Sequence, residues 1–370
     1  MTNQILSGQY IGQYNNVSTG LSSLLCLNID TVENNDYDIF ATIFSGPGQL
    51  FTASFRISNT NIADGTPVQV TEIEEYTLSE NRFVKKHRND RSYSSAEVIV
   101  TVTQQALYII WKIPDGTVCH TVSLTSNQNE DSDLPSINLR WTDFHEYVHE
   151  QFSGRAYVFR GQPKNYRLRT SFHRSKRANI SRYFRENIPS LQRYVSAIHP
   201  DFSSIDKEDV LLALLTLLQH HGYPTPILDW TLSPYVAAYF AFFYAKNSDI
   251  DMVRILAFDR KGYSHDFPQY NNITDMNLHV SFLDTPALHN PRCIPQQSVS
   301  CISTIDDIEK YIEIQESTYN KRYLSAFSLP IEDAPQTLSD LNMMGINHAT
   351  LFPGLDGICS YMKYAHFGLF

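Results

Sequence analysis

The sequence predicts an α+β chain, with an antiparallel all-β sandwich or barrel at the N-terminus followed by an α+β domain. The first sign is a series of short alternating segments separated by turn clusters over residues 1–125. The second is the polar, acidic run SNQNEDSDLPS at 126–136, which is typical of a linker. The third is a helix–turn–strand–turn–helix pattern over 211–246. We therefore expect an all-β domain, a linker, and a second domain over 137–370.

The N-terminal segments alternate apolar and polar residues, as in LSSLLCLNID and ALYIIWKI, and GPG, ADGT and PDGT supply turns between such segments. This alternation is typical of strands with one buried face, and about eight to ten antiparallel strands fit the stretch. We expect this domain to recognise a ligand or partner, whose identity the sequence does not give.

The helical and strand pattern over 211–246 surrounds one carboxylate. Leu211 to Leu218 leave almost no polar face, which predicts a buried helix. A short strand follows, and Ser233 with Pro234 has the pattern of an N-cap and a first helical position. Asp229 lies at the end of that apolar strand, where a carboxylate must be hydrogen-bonded or functional because burying it unpaired is costly.

Composition excludes several classes of protein. Hydrophobic residues make up 42% of the 370 residues and aromatic residues 12%, which is typical of a folded chain, and the formal charge of −10 argues against a nonspecific polyanion binder. The opening MTNQILSGQY has no Lys or Arg, so we expect no targeting peptide. The apolar run around 235–245 is too short to span a bilayer. Five scattered cysteines are expected to be reduced thiols, in a cytoplasmic protein with no membrane partner.

The segment YVFRGQ at 157–162, together with QHHGYPT, LDWT and SPYVAAYFA further on, resembles the FRG domain family. NPRCIPQQS at 290–298 and LFPGLDG near the C-terminus continue the resemblance, so its ordered blocks extend over 137–370. One position departs from the pattern, because Pro226 stands where the family usually has an Arg after Pro-Thr.

The order of elements in this FRG-like region is similar to the core of ADP-ribosyltransferases, and NAD is the substrate that this resemblance implies. Arg160 would hold the pyrophosphate and ribose, because its planar fork suits such groups, although pairing with Asp229 would also explain a buried Arg. The resemblance assigns catalysis to four residues: Arg160, His220, Asp229 and Gln296. It assigns NAD binding to six more, with either tyrosine stacking on nicotinamide: Gly161, Gln162, Thr231, Ser233, Tyr235 and Tyr239.

The implied function is a prokaryotic toxin or anti-phage defence effector that transfers ADP-ribose from NAD to a protein or nucleic-acid acceptor, or cleaves NAD. The N-terminal domain would then be its sensor or targeting unit. A second possibility is a non-catalytic nucleotide- or protein-binding module, since QHHGYPT and LDWT contain residues that turns require. A third is a metal-independent ribonuclease that uses His220 with Asp229. No metal is expected, because adjacent histidines at a helix end point in different directions.

Overall fold

One curled antiparallel sheet of ten strands, a half-barrel, forms the N-terminal part, and helices with a second sheet follow, so the predicted α+β class is confirmed. The computed structural model describes the following residues: 7–17, 20, 22–32, 36–45, 50–60, 66–70, 72–79, 82–91, 95–102, 106–121, 123–152, 156–245, 250–270, 277–283 and 288–368. No helix within these ranges is both long and apolar enough to cross a bilayer.

The chain forms two compact units, and neither is one continuous stretch. The first comprises Met1–Gln128, Phe172–Pro200 and Thr274–Leu278. The second comprises Asn129–Ser171, Asp201–Ile273 and His279–Phe370. Gln128 lies inside the expected linker at 126–136, but Phe172–Pro200 comes from the middle of the predicted second domain. The limits of two independently folding domains therefore stay a prediction.

The strands of the first unit run in the order β5-β8-β9-β10-β1-β2-β3-β4-β6-β7. They are β1 (Gly8–Asn16), β2 (Ser22–Thr31), β3 (Tyr37–Ser45), β4 (Leu50–Thr60), β5 (Pro67–Val70), β6 (Ile73–Ser79), β7 (Arg82–Lys85), β8 (Ala96–Val102), β9 (Leu107–Lys112) and β10 (Val118–Thr121). Strict alternation explains the packing: Leu107, Ile109 and Trp111 of β9 are buried while the residues between them are exposed. One hydrophobic cluster fills the inner face, so of the two predicted forms the curled sheet is closer to a barrel than to a sandwich.

Two buried carboxylates, Asp30 and Asp38, lie directly opposite each other on β2 and β3. Like charges in that arrangement repel, so the pair requires counter-ions. Four arginine side chains supply them: Arg56, Arg177, Arg182 and Arg185. Three of the four belong to the helical stretch formed by α2 (Ser171–Arg174), α3 (Ile180–Arg182), a π-helical turn (Tyr183–Asn187) and α4 (Ile188–Ile198). The basic residues of this stretch therefore hold it against the sheet.

The second unit is built on seven strands in the order β11-β17-β14-β12-β13-β16-β15. They are β11 (Ser136–Asn138), β12 (Tyr157–Gln162), β13 (Ile227–Thr231), β14 (Met252–Asp259), β15 (Val280–Leu283), β16 (Ser298–Ser303) and β17 (Leu324–Pro330). All neighbours are antiparallel except β11 and β17. The sheet separates two hydrophobic clusters, and each cluster takes alternate residues of its strands.

The helices of the second unit are α1 (Trp141–Gln151), α5 (Glu208–His220), α6 (Pro234–Ala245), α7 (Arg260–Asp266), α8 (Ile308–Tyr319), α9 (Ala334–Met343), α10 (His348–Leu351) and α11 (Leu355–Phe367). The predicted start of α6 is confirmed, since Pro234 is its first residue and the Ser233 hydroxyl accepts the Val236 N–H at 3.3 Å. The predicted burial of α5 is confirmed from Leu212 to Leu218, and the helix ends at His220.

Candidate functional site

Strands β12 and β13 share only a short ladder and then diverge, and the candidate site residues lie around the resulting opening in the sheet. Their register has one pair, Phe159 with Thr231, although each strand pairs along its whole length with its other neighbour. Beyond that pair the guanidinium of Arg160 bridges the strands, because its Nη1 donates to the carbonyl oxygen of Asp229. Arg160 therefore supplies a hydrogen bond where the ladder between the strands is interrupted.

A cleft of about 410 Å³ lies at this opening. Its polar side chains are Arg160, Gln219, His220, Asp229, Thr231, Arg292, Gln296 and Ser298. Its aromatic side chains are Phe159, Trp230, Phe240, Tyr244 and Phe352. A mainly concave, partly aromatic site with a few convergent polar groups is typical of small-molecule binding. All four residues predicted as catalytic thus line one cleft, although their roles stay predictions.

The carboxylate of Asp229 has no hydrogen bond or ion pair with any described residue, and the side chain is half-buried. The described contact of Arg160 with this residue is to the backbone carbonyl oxygen of Asp229 and not to its carboxylate. The negative charge still acts on its surroundings. It raises the pKa of His220, against the larger effect of burial, and adds to the burial that raises the pKa of Cys293. An anionic group is therefore presented in the cleft with its oxygens available.

His220 closes the cleft at the C-terminal end of α5. Burial is the main influence on its imidazole and lowers its pKa below the usual 6.5, so the ring is neutral at pH 7. Its Nδ1 lies 2.5 Å from the amide nitrogen of Asn290, and its Nε2 is buried with no hydrogen-bond partner in the described part of the chain. Exposed His221 is the next residue and does not line the cleft.

Arg292 is a second cation in the cleft, and the sequence reasoning assigned it no role. Its Nη1 donates to the carbonyl oxygen of His220 at 2.7 Å, and its guanidinium lies 5.1 Å from the ring centre of Phe352. This contact holds the cation against an aromatic face, which is a favourable arrangement. The signal for Arg292 was the NPRCIPQQS segment, which contains it, but a position in a turn gave no reason to place it beside His220.

Comparison with known proteins supports the resemblance drawn from the motifs. Residues 155–250 match the family model of the FRG domain. This chain therefore contains an FRG domain. The matched stretch includes Arg160, His220 and Asp229, whereas Arg292, Gln296 and Phe352 come from beyond it and complete the cleft. No curated protein and no solved structure matched the chain.

The aromatic wall of the FRG cleft differs from the prediction, because neither Tyr235 nor Tyr239 lines it. The ring centre of Tyr235 lies 6.3 Å from that of Trp141, and the Tyr239 hydroxyl contacts His348 Nδ1 at 3.2 Å. The helical repeat explains the difference. Phe240 and Tyr244, four residues apart on α6, stack with their rings 4° from parallel and form the wall, while Tyr235 and Tyr239 lie on another face of the helix.

Three further predicted site residues have structural partners: Thr231 and Ser233, predicted to bind NAD, and Gln296, predicted as catalytic. The Thr231 hydroxyl donates to the backbone carbonyl oxygen of Gln296 at 2.7 Å and accepts the backbone N–H of Ser233 at 3.1 Å. The Gln296 amide donates to the Leu351 carbonyl at 2.9 Å, and Gln296 lies in the turn before β16 rather than on the strand. Ser233 caps α6, and Gln162 is buried beyond the cleft. Thr231 and Gln296 line the cleft, but these contacts engage the Thr231 hydroxyl and the Gln296 amide nitrogen.

Gly161 lines the cleft because helix α6 approaches β12 there. A Cβ atom on Gly161 would lie 1.9 Å from the Ala237 carbonyl oxygen and 2.7 Å from the Ala241 nitrogen. The glycine thus serves helix–strand packing, because the backbone that approaches it is that of α6.

We expect Gly161→Ala to lower the free energy of unfolding by at least about 1–3 kcal/mol, because the clash is with backbone that no side-chain rotation can relieve. Urea denaturation followed by near-UV circular dichroism measures the effect, since the aromatic rings beside α6 report on its packing. A Gly161→Ala protein with the denaturation midpoint of the native chain would contradict this account of the glycine.

Proposed function

We propose that the FRG domain binds NAD in this cleft and breaks its bond between nicotinamide and ribose, either transferring ADP-ribose or cleaving NAD. The proposal rests above all on the Asp229 carboxylate, which has no described hydrogen-bond or ion-pair partner and lines the cleft together with two arginines and an aromatic wall. A carboxylate without a protein partner in a cleft lined by arginines is a candidate for a functional group.

The charges of the cleft suit the parts of a dinucleotide. Arg160 and Arg292 are planar, permanently charged groups that match phosphate oxygens. Phe240, Tyr244 and Phe352 offer faces on which a nicotinamide or adenine ring can stack. A volume of about 410 Å³ is within the range of ordinary small-molecule sites.

The reaction needs one carboxylate placed near the ribose. As the C1′–N bond breaks, its electron pair leaves with nicotinamide, and positive charge develops on the ribosyl carbon. Asp229 would stabilise that charge through the 2′-hydroxyl or directly. Water or an acceptor group then forms the new bond to C1′ and loses a proton to the solvent or a neighbouring base. Gln296, the other group considered for this role, has no charge to offer.

The biological setting follows from the resemblance alone. We place the protein among prokaryotic toxins or anti-phage defence effectors, with a protein or nucleic acid as acceptor where ADP-ribose is transferred. The N-terminal sheet would act as the sensor or targeting unit, with a ligand of its own, in the cytoplasm.

Arg160→Ala should abolish detectable nicotinamide release and weaken NAD binding at least about tenfold, because charge-assisted hydrogen bonds contribute about 1.5–3 kcal/mol each. Arg160→Lys keeps the charge but loses the planar fork, so it should be intermediate. The exposed Arg193 on α4 provides a matched control, and Arg193→Ala should bind and react normally. The measurements are calorimetry with NAD and release of labelled nicotinamide by the full chain in cell extract.

The same experiment separates the other two functions. NAD binding that needs Arg160 but never releases nicotinamide would indicate a binding module. Cleavage of RNA without NAD binding would indicate a ribonuclease. Equal NAD affinity in the native chain and in Arg160→Ala would remove the basis for placing the substrate here.

A further inference from the structure

Asn290 contacts His220 from a turn that follows β15, and this contact fixes which ring nitrogen holds the proton. Asn290 is 5% exposed, and its Oδ1 accepts the backbone N–H of Arg292 at 3.3 Å. That bond orients the amide, because turning it round would set its NH₂ group against the Arg292 N–H. The NH₂ group therefore faces His220 Nδ1, which lies 2.5 Å away and must accept.

A neutral imidazole that accepts at Nδ1 has its proton on Nε2. The Nε2 atom of His220 is buried and has no hydrogen-bond partner in the described part of the chain, and the ring lines the cleft. Two cations, Arg160 and Arg292, line the same cleft. The ring thus adds an N–H donor to a cleft that two positive charges also line. Such a set fits a group that only accepts hydrogen bonds and is anionic.

We propose that Asn290 positions His220 as a neutral Nε2–H donor to the diphosphate of a nucleoside diphosphate. The inference rests on the proposed function, since it names the part of NAD that His220 would bind. His220 would be a binding residue, and Asn290 a positioning residue that acts through it.

The groups around the imidazole keep it neutral over the working range of pH. Burial lowers its pKa most, and the charges of Arg292 and His221 lower it further. Asp229 raises the pKa, and the backbone carbonyl of Thr216 does so to the smallest extent. That carbonyl is an acceptor that would favour a proton on Nδ1 in competition with Asn290. The Nε2–H form should therefore persist from pH 8 down to about 6.5 and be lost only below it.

The experiment measures tautomer and affinity separately. The tautomer is measured by NMR on the full chain with ¹⁵N-labelled histidine, and the signals that disappear in His220→Gln are those of His220. We expect these signals to show the Nε2–H form at pH 7. In Asn290→Asp a carboxylate replaces the amide donor. Because a nearby negative charge favours the protonated imidazole, the pKa of His220 should rise. An Nδ1–H form in the native chain, with Thr216 as its acceptor, would overturn the inference.

ADP tests the ligand, because it has the diphosphate without nicotinamide. His220→Gln retains an N–H near the Nε2 position and should bind ADP within about threefold of the native chain, whereas His220→Phe should lose at least about tenfold. If His220→Phe keeps its ADP affinity while NAD is still turned over, this inference is wrong and the proposed function stands. If ADP binding follows the expected order but NAD is never cleaved, the inference stands and the proposed reaction is wrong.

Discussion

Asp229→Asn should reduce the rate of nicotinamide release by about 10²–10⁴-fold while leaving the stability of the chain almost unchanged. The carboxylate has no described hydrogen bond or ion pair to lose, so the cost of about 3–5 kcal/mol for breaking a buried pair does not apply. Asparagine has the same shape, and the backbone carbonyl at this position can still accept from Arg160. What changes is the charge offered to the ribose.

Single-turnover release of labelled nicotinamide measures the effect, with the thermal unfolding midpoint recorded in parallel. Asp356→Asn, at an exposed position on α11, removes the same charge away from the cleft and should have the native rate. The substitution should also lower the pKa of His220 further, because Asp229 raises it in the native chain. A native rate in Asp229→Asn, or a loss of stability typical of a buried ion pair, would show that the carboxylate is structural.

Local signals in the sequence were sufficient for the elements around Asp229. Ser233 and Pro234 have the residue types of a helix start, and six leucines among residues 211–218 favour a buried helix. His220 is the last residue of α5, as a polar residue at an element end would be, but the prediction that Asp229 ends its strand is wrong, because Asp229 is the middle residue of β13. Arg160, His220 and Asp229 line one cleft because β12 and β13 separate after a single pair, so that Arg160 and Asp229 face the opening from inside their strands.

The remaining parts of the cleft depend on contacts between distant segments. Arg292 and Phe352 reach it from turns whose positions no periodic pattern fixes. The choice between Tyr239 and Phe240 depends on which face of α6 meets β12, and that face follows from the packing of Gly161 against Ala237. The opening between β12 and β13 is a property of register, which apolar strands leave undetermined.

The ion pairs between Asp30, Asp38 and the arginines of residues 177–185 also join segments that are distant in the sequence. Basic residues near 177–185 have the composition of a solvated helix, and the sequence gives no sign that their partners are on β2 and β3. The Asp30 carboxylate accepts from Arg177 Nε at 3.0 Å and from the backbone N–H groups of Ala178 and Asn179 at 2.8 and 3.1 Å. Its side chain is 1% exposed, so water cannot replace these partners.

Asp30→Ala should therefore lower the free energy of unfolding of this unit by about 3–5 kcal/mol, because it leaves two buried backbone donors and the half-buried guanidinium of Arg177 without their acceptor. Glu186→Gln is the matched control. Glu186 pairs with Arg182 at 2.7 Å in the same cluster, but its side chain is 43% exposed, so its loss should cost at most about 1 kcal/mol.

Hydrogen exchange measured by mass spectrometry should show faster exchange over 172–200 in Asp30→Ala and native protection in Glu186→Gln. High salt should not reproduce the effect, since buried pairs are poorly screened. Equal protection in both variants would mean that hydrophobic contacts, and not these charges, hold residues 172–200 against the sheet.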